Sequence, residues 1–203
     1  MADGKGIEFP RDGYEGLVFD LDGTLVDSMP VHFAAWCEAL EEYGAAGVFQ
    51  EDVFYAMGGR PTQDIVAILN GEFGLRLDPV AVAMRKRDAF LRNLSEVEPN
   101  SEVVDFARRQ QGRVPMAIAT GGTRLVVGRT LQMLEMSDLF EEVVTADDVA
   151  RGKPAPDIYL EAASRLGVPP GKCLAIEDAP SGIEAARAAG MMVVTVPMPM
   201  RVF

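Results

Sequence analysis

The stretch GLVFDLDGTLVDS, residues 16–28, joins a short apolar run to a group of carboxylates. Residues 16–19 are consecutive apolar residues without polar alternation, which is typical of a strand buried on both faces of a parallel sheet. Asp20 and Asp22 follow where such a strand would end. Because alternate residues of an extended chain share a side, we expect these two carboxylates to face one region of space.

Apolar runs of the same kind recur later in the chain. They occupy residues 116–119, 142–145, 173–176 and 192–196. Helical hydrophobic patterns lie before or after them, at residues 101–111, 123–134, 156–166 and 181–189. Alternation of strands and helices at this spacing predicts an α/β fold with a doubly wound parallel sheet.

The interval after the first strand breaks this alternation, because it contains helical segments and no convincing strand. The helices are predicted at residues 31–43, 51–57, 63–69 and 79–94. We therefore predict a small helical cap over residues 29–98, a catalytic core over residues 14–28 and 99–203, and a flexible N-terminal tail over residues 1–13. Ligands bind open parallel sheets at the carboxyl ends of the strands, so a cap inserted here would cover the site.

The chain is strongly acidic. Its 203 residues include 31 Asp and Glu against 19 Lys and Arg, which gives a net charge of −12. Such a surface repels polyphosphate backbones, so we expect no nucleic-acid partner. No apolar stretch is long enough for a membrane span, and residues 1–13 lack the apolar centre of a secretory signal. We therefore predict a cytoplasmic protein with no membrane partner.

Polar residues follow the predicted strands at the edge where a parallel sheet would gather them. They are Asp20 and Asp22, Thr120-Gly121-Gly122, Lys153 and Glu177-Asp178. Clustered carboxylates raise each other's pKa values, whereas a hard divalent cation such as Mg²⁺ keeps them ionised. With a lysine, a hydroxyl and backbone amides, Mg²⁺ forms a cradle for phosphate. One carboxylate can then attack phosphorus, and a second carboxylate two residues on can transfer the proton.

This arrangement resembles the haloacid-dehalogenase superfamily of phosphotransferases. The resemblance rests on DLDGTLVDS at residues 20–28, Thr120, Lys153 within GKPAPD at residues 152–157, and Glu177-Asp178 within EDAPSG at residues 177–182. These segments resemble the four motifs of the superfamily, in order, between Gly16 and Val196. The resemblance, to subfamily I in particular, implies a Rossmann-like core and a Mg²⁺-dependent phosphotransfer reaction.

The resemblance implies catalytic roles for four residues. Asp20 would be the nucleophile that carries the phosphoryl group, and Asp22 would be the general acid and base. Thr120 would bind the phosphate, while Lys153 would neutralise its charge and steady Asp20.

The resemblance also implies a Mg²⁺ site beside backbone contacts to phosphate. The implied metal ligands are Asp20, the backbone carbonyl of Asp22, Asp178 and Glu177, the last either directly or through water. The backbone amides at Gly121 and Gly122 would face the phosphate.

Three segments resemble one branch of the superfamily more narrowly. They are HFAAW at residues 32–36, GKPAPD at residues 152–157 and EDAPSGIEAARAAG at residues 177–190. They resemble the β-phosphoglucomutase-like branch, which contains mutases and small sugar-phosphate phosphatases. The sequence GRPT at residues 59–62 is closer to the fructose-1-phosphate phosphatase type of cap, because Pro61 stands where mutases generally carry an arginine. Thr24 also favours the phosphatase type, since phosphatases commonly carry Thr at this position and mutases usually carry Val.

Three residues of the predicted cap are candidates for substrate contact. Arg60 lies one position from the mutase arginine and can substitute for it. His32, the sole histidine, is a candidate for proton transfer or sugar binding beside Asp22, or else a packed residue. Lys86 is the sole lysine of the cap, but it lies within an Arg-Lys-Arg run that also suits a solvated face.

These features predict a Mg²⁺-dependent phosphatase of a small sugar or polyol phosphate, acting through an aspartyl-phosphate on Asp20. Its partner would be a small phosphorylated metabolite, and the protein would be a monomer or weak dimer. The alternatives are a sugar-phosphate mutase of the β-phosphoglucomutase type and a non-catalytic protein that binds a sugar phosphate.

Overall fold

The computed structural model describes residues 6–197; residues 1–5 of the predicted tail and residues 198–203 of the predicted core lie outside the described residues. Within that range the chain forms seven strands: β1 (Gly16–Phe19), β2 (Val26–Asp27), β3 (Glu98–Pro99), β4 (Met116–Ala119), β5 (Glu142–Val144), β6 (Cys173–Glu177) and β7 (Met192–Thr195). It also forms eight α-helices: α1 (Met29–Glu42), α2 (Glu51–Ala56), α3 (Thr62–Phe73), α4 (Pro79–Arg92), α5 (Ser101–Gln110), α6 (Arg124–Met133), α7 (Asp157–Leu166) and α8 (Pro180–Ala188). Across residues 6–197, every helix falls short of the length and apolar character that a membrane crossing requires.

Five strands form one sheet in the order β5-β4-β1-β6-β7, and all of its neighbouring pairs are parallel. The predicted α/β fold with a doubly wound parallel sheet is confirmed. Helices α5–α8 agree with the predicted core helices to within one residue at each end. Because β1 is the central strand, the carboxylates that follow it lie at the middle of one sheet edge.

The side chains of β1 alternate between two hydrophobic layers. Leu17 and Phe19 pack with residues of α5 and α6 on one face of the sheet. Val18 packs with residues of α7 and α8 on the other face. Because helices cover both faces, β1 needs apolar side chains at every position, which is why its sequence shows no alternation.

The last strand departs from the predicted burial. Residues 192–196 were expected to form a strand buried on both faces like β1, but β7 is an edge strand. Met192 and Thr195 are exposed, and Val193 and Val194 are only half-buried. An edge strand has a neighbour on one side alone, so an apolar run by itself did not distinguish it from a central strand.

A second, two-stranded sheet was not predicted. Strands β2 and β3 pair in antiparallel register, with Val26 opposite Pro99 and Asp27 opposite Glu98. The interval 29–98, predicted to contain no strand, therefore ends in one. Strands of two residues are too short to produce a periodic pattern. The pair joins the segment before α1 to the segment after α4, so the chain leaves the part that contains the five-stranded sheet and returns to it at adjacent positions.

Helices α1–α4 lie between β2 and β3 and enclose a hydrophobic cluster of their own. Trp36 and Leu40 of α1 contribute to this cluster, together with Phe54, Leu69 and Val82 from the other three helices. Each of these side chains is at least 95% buried. Four short helices thus share one apolar centre, which accounts for their helical spacing in the sequence.

Helix α3 is longer than predicted. It continues to Phe73, whereas the sequence pattern indicated an end at Leu69. Residues 70–72 interrupt the apolar spacing, yet the helix continues through them. The helix ends instead at Gly74, whose φ of 64° provides a left-handed cap.

The segment before β1 contains neither helix nor strand over residues 6–13. Ile7 and Phe9 nevertheless pack against the core, and the rings of Phe9 and Phe106 stack with their centroids 4.0 Å apart. The prediction of a flexible tail did not anticipate these contacts, because two apolar residues among polar ones give no periodic signal.

The substitution Leu69→Ala tests how much the cluster of α1–α4 contributes to stability. Leu69 is fully buried, so we expect its truncation to lower the free energy of unfolding by about 2–5 kcal/mol. Urea unfolding measures this loss. Leu160→Ala is the matched control, since Leu160 on α7 is 41% exposed; it should lose about 1 kcal/mol or less. Equal losses in the two variants would contradict the packing described here.

Candidate active site

A buried lysine joins the ends of two neighbouring strands. Lys153, in the loop between β5 and α7, donates to Asp20 after β1 and to Glu177 at the end of β6. Its Nζ lies 2.5 Å from Asp20 Oδ1 and 2.7 Å from Glu177 Oε1. All three side chains are at least 95% buried. Burial lowers the pKa of Lys153, but the two carboxylates raise it well above its ordinary value, so the ammonium stays charged.

Three carboxylates form a compact acidic cluster beside this lysine. Asp20, Glu177 and Asp178 each offer an oxygen, and these oxygens lie within 4.8 Å of one another. Thr24 donates to Asp178 Oδ1 at 2.8 Å and fixes that carboxylate. At Gly23 the φ is 92°, and a Cβ there would lie 2.3 Å from Asp178 Oδ2, so a glycine is required. Oxygen ligands at this spacing fit Mg²⁺.

Two carboxylates of the cluster, Asp20 and Asp178, have raised pKa values. Burial is the largest influence on Asp20 and raises its pKa; Lys153 lowers that pKa, while Glu177 and Asp178 raise it, and the balance lies well above the ordinary value. Burial and Glu177 raise the pKa of Asp178 to about 7. A divalent cation would relieve this repulsion and keep both groups ionised.

The side chain of Asp22 does not join the acidic cluster, although Asp22 lies only two residues after Asp20. Its Oδ1 accepts from Ser28 at 2.7 Å and is 3.0 Å from His32 Nε2. Burial, the largest single influence, raises the pKa of Asp22, but His32, Ser28 and Lys86 together hold it below its ordinary range. The carboxylate of Asp22 is therefore available for proton transfer, and a metal contact from this residue would have to come from its backbone.

Asp22, His32 and Lys86 form a series of side chains joined by polar contacts. Lys86 Nζ of α4 lies 2.9 Å from His32 Nδ1, and the His32 ring stacks on Phe90 at 4.0 Å. Because an ammonium can only donate, Nδ1 accepts, and the ring proton sits on Nε2 facing Asp22. Burial and Lys86 lower the pKa of His32, and burial lowers that of Lys86 to about 8. The side chains of His32 and Lys86 are thus bonded within the protein and also line the cavity described next.

A cavity of about 450 Å³ lies between helices α1–α4 and the sheet edge. Its wall includes Asp20, Asp22, Thr120, Gly121 and Gly122 from the sheet side, and His32, Arg60 and Lys86 from the helical side. Lys153, Glu177 and Asp178 are not part of the wall and lie behind Asp20. The candidate residues named from the sequence are therefore gathered at one site, with Asp20 between the buried charges and the cavity.

The turn after β4 closes against the helical insertion. Thr120 is buried, and its Oγ1 accepts from the Gly122 amide at 3.0 Å. The Gly122 amide already has this acceptor, which the sequence did not reveal. A Cβ on Gly121 would lie 2.6 Å from the Gly59 carbonyl oxygen. Glycine at position 121 is therefore the residue that allows the two parts of the molecule to approach.

Three further contacts of the site were also not predicted. Ser28 bonds Asp22, the Tyr159 hydroxyl lies 3.2 Å from Glu177 Oε1, and Ser181 Oγ donates to the Gly58 carbonyl at 2.6 Å. Ser28 stands within the stretch 16–28, but nothing in its spacing indicated a partner. Tyr159 fell within the helix predicted at 156–166, where an aromatic residue suggests packing alone.

The family model for haloacid dehalogenase-like hydrolases matches residues 14–190. The chain is a haloacid dehalogenase-like hydrolase. This hydrolase is 40% identical over 183 residues to the fructose-1-phosphate phosphatase YqaB of Escherichia coli, with 90% of this chain and 96% of that protein covered. It is 32% identical over 191 residues to hexitol phosphatase A of the same organism, with 91% and 84% covered. A crystal structure of a hydrolase from Pseudomonas syringae is similar with a TM-score of 0.81 at 28% identity, covering 88% of this chain and 83% of that one.

The superfamily and the hydrolase class predicted from the sequence are thereby confirmed. The match spans four of the five strands of the sheet, all except β7, and the helices inserted after β2, so it includes all the residues gathered at the cavity.

The substitution Gly121→Ala should impair this hydrolase without unfolding it. The added methyl group would meet the Gly59 carbonyl and push residues 58–62 away from the sheet edge. Displacements of this size lower turnover by about tenfold to a hundredfold. Gly128→Ala is the matched control: position 128 is open space on α6, so full activity and a gain of about 0.5–1 kcal/mol are expected. Unchanged turnover in Gly121→Ala would contradict the close approach.

The raised pKa of Asp178 makes the stability of this hydrolase depend on pH when divalent cations are removed. The pKa is about 7 in the folded chain, against about 3.9 when unfolded. The folded state therefore holds the proton more tightly, so its stability is greatest at low pH and falls as the pH rises from about 4 to 7, by at most about 1.4 kcal/mol per unit. Thermal unfolding in a chelator between pH 5 and 8 measures the decline.

Asp178→Asn removes one of the titrating groups and should reduce this decline, leaving the part due to Asp20, whose pKa is also raised. Asp105→Asn, on an exposed position of α5, should retain the full decline. Mg²⁺ should raise the unfolding temperature more at pH 8 than at pH 5, because protons compete with the cation for the same carboxylates. Equal slopes in the two variants would show that Asp178 is not the responsible group.

Proposed function

We propose that this hydrolase is a Mg²⁺-dependent phosphatase of a small sugar or polyol phosphate, acting through an aspartyl-phosphate on Asp20. The observation that carries the proposal is the position of Asp20 between a buried ammonium, two further carboxylates and a cavity of about 450 Å³. In this role residues 14–28 and 99–203 are the catalytic core, and residues 29–98 are a cap that excludes water when substrate is bound.

The substrate phosphate would bind against Asp20 at the cavity wall. The Thr120 hydroxyl can donate to a phosphate oxygen, since a hydroxyl that accepts from Gly122 keeps its own proton free. The Gly121 and Gly122 segment would supply backbone contacts. Lys153, behind Asp20, would offset the charge of the phosphate and hold the attacking carboxylate in place.

The chemistry would proceed in two displacements at phosphorus. An Asp20 oxygen attacks, the bond from phosphorus to the sugar oxygen breaks, and that oxygen takes a proton from Asp22. Water then attacks the acyl phosphate, gives its proton to Asp22, and frees phosphate and Asp20. The pKa of Asp22 is low without ligand, and an anionic phosphate beside it would raise that pKa toward the protonated form that the first step requires.

Mg²⁺ would be held by Asp20, Asp178 and the backbone carbonyl of Asp22, with Glu177 as a direct or water-mediated partner. Bound there, the ion would offset the charge of the phosphate oxygens and of the carboxylates. The fit rests on the three carboxylate oxygens within 4.8 Å of one another and on the raised pKa values of Asp20 and Asp178.

The substrate class is supported by the cavity and by the relatives. A volume of about 450 Å³ suits a small metabolite. Two relatives bear the names fructose-1-phosphate phosphatase and hexitol phosphatase. Arg60 would contact the sugar or a second anionic group from the cap, while His32 and Lys86 would act beside Asp22. We further propose a monomer or weak dimer in the cytoplasm, without nucleic-acid or membrane partners.

Two alternatives remain distinct in chemistry. A sugar-phosphate mutase would share Asp20 as nucleophile, but Thr24 and Pro61 stand against the mutase pattern. In particular, Thr24 uses its hydroxyl to hold Asp178, which valine cannot do. A non-catalytic protein that binds a sugar phosphate has no need of the complete set of Asp20, Asp22 and Lys153.

The test is phosphate release in the presence of Mg²⁺ from fructose 1-phosphate, β-glucose 1-phosphate, 6-phosphogluconate and the glycerol phosphates. We expect Asp20→Asn to lower the rate on the active substrates by more than about 10³-fold, because the attacking oxygen is lost. The matched control, Asp105→Asn, should keep the wild-type rate.

Full activity in Asp20→Asn would overturn the proposed nucleophile. Conversion of β-glucose 1-phosphate to glucose 6-phosphate once a bisphosphate is added, with little phosphate released, would favour the mutase. Tight binding of a sugar phosphate by the wild-type protein without any turnover would favour the binding protein.

A further inference from the structure

The loop of residues 58–61 joins α2 to α3 and lies against three parts of the core. Gly121 after β4 and Gly152 after β5 approach it so closely that a Cβ on either would lie 2.6 Å or less from an atom of the loop. On a third side, a Cβ on Gly59 would lie 2.9 Å from Ser181 Oγ at the start of α8. The loop is therefore fitted to the core edge, where no larger residue would allow the same approach.

One hydrogen bond joins this loop to the core among the hydrogen bonds of residues 6–197. Ser181 Oγ donates to the Gly58 carbonyl at 2.6 Å, and both residues are buried. Without this donor, the carbonyl would be unpaired and shielded from water, which is unfavourable. In a displaced loop the same carbonyl would bond water. The contact therefore favours the observed position of the loop over a displaced one.

The Ser181 hydroxyl serves the loop rather than its own helix. Ser181 is the second residue of α8, and Ala179 is the N-cap residue, without a side-chain hydrogen bond to the helix. Alanine has a higher helix propensity than serine, so α8 alone would favour alanine at position 181. The hydroxyl instead donates out of the helix, to a residue 123 positions earlier in the chain.

We propose that Ser181 is a positioning residue that holds the loop of residues 58–61 closed against the core and so keeps Arg60 at the cavity wall. Arg60 lies within this loop and lines the cavity, whereas Ser181 does not line it. Ser181 would therefore act through the loop. The inference rests on the proposed function, in which residues 29–98 are a cap over a phosphatase site.

The position of the loop would affect substrate binding more than turnover. When the loop is already closed, the substrate does not bear the cost of closing it. Loss of the Ser181 hydroxyl would lower the closed fraction of the free enzyme and so raise KM. Once the substrate is bound, its contacts with the cap would keep the loop closed, and kcat would change little. A variant that is merely less folded would instead lose kcat at an unchanged KM.

The substitution Ser181→Ala removes the hydroxyl with little change in volume. Hydrogen–deuterium exchange, measured by mass spectrometry without substrate, compares this variant with the wild type. We expect the amides of residues 57–62 to exchange about tenfold faster, as for the loss of one buried hydrogen bond, and those of the sheet to keep their rates. Thr130→Val is the matched control, since the buried Thr130 hydroxyl donates to the Val126 carbonyl within α6; exchange of residues 57–62 should equal that of the wild type.

Kinetics on the substrates that the wild type hydrolyses provide the second measurement. We expect Ser181→Ala to raise KM by about tenfold and to change kcat by less than about twofold. Ser181→Thr retains the hydroxyl, so it should keep the KM and the exchange rates of the wild type. Exchange in Ser181→Thr as fast as in Ser181→Ala would show that the hydroxyl does not hold the loop.

Unchanged exchange of residues 57–62 in Ser181→Ala overturns the proposal, and so does a uniform rise over the whole chain. A crystal structure of the wild type with bound phosphate tests it without any variant. The proposal fails there when the cap covers the site and Ser181 Oγ lies beyond about 3.5 Å from the Gly58 carbonyl oxygen. Failure of the proposed phosphatase is recognised separately, because it is the absence of phosphate release by the wild type, whereas the exchange experiment needs no substrate.

Discussion

The double pairing of the Lys153 ammonium is the interaction on which the site depends. A buried cation is tolerated only with partners in good geometry, and its two partners come from different strands. Asp20 follows β1 and Glu177 ends β6, and these strands pair with Phe19 opposite Ile176. A slip of one residue between them would send one carboxylate to the other face of the sheet. The register of the central strands and the position of the lysine therefore support each other.

The same charges explain why the site divides into two parts. In the first part, three carboxylates against one ammonium leave two negative charges when all are ionised, which a divalent cation balances. In the second part, the Asp22 carboxylate faces Ser28 and His32, and Lys86 contacts the other ring nitrogen of His32. Burial raises the pKa of both Asp20 and Asp22, but the two aspartates have opposite net shifts. At Asp20, burial and the two neighbouring carboxylates outweigh Lys153, whereas at Asp22 the contacts with His32, Ser28 and Lys86 outweigh burial.

The features predictable from the sequence are those in which a local pattern has a single physical cause. An unbroken apolar run followed by Asp20 indicated a strand buried on both faces. Polar residues after successive strands indicated that these residues meet at one edge of the sheet. The pattern was less informative where neighbours decide the outcome, as for β7, whose apolar residues lie at an edge. The sequence pattern did not indicate contacts between distant segments, such as Tyr159 with Glu177 or Gly121 with Gly59. The two-residue strands likewise depend on pairing rather than on periodicity. The end of α3 at Phe73 follows from the Gly74 cap, a local feature that the apolar spacing does not include.

The antiparallel pair of β2 and β3 has a mechanical consequence. The chain enters and leaves the helical insertion side by side, so the two connections form a ribbon and cannot shift independently. Asp22 lies one short turn before this ribbon and is bridged to Val26 within it. Any rotation of the insertion must twist the ribbon and, with it, the backbone that carries Asp22. The position of the Asp22 carboxylate, the group proposed to transfer the proton, would therefore change with the orientation of helices α1–α4, whether or not a ligand contacts it.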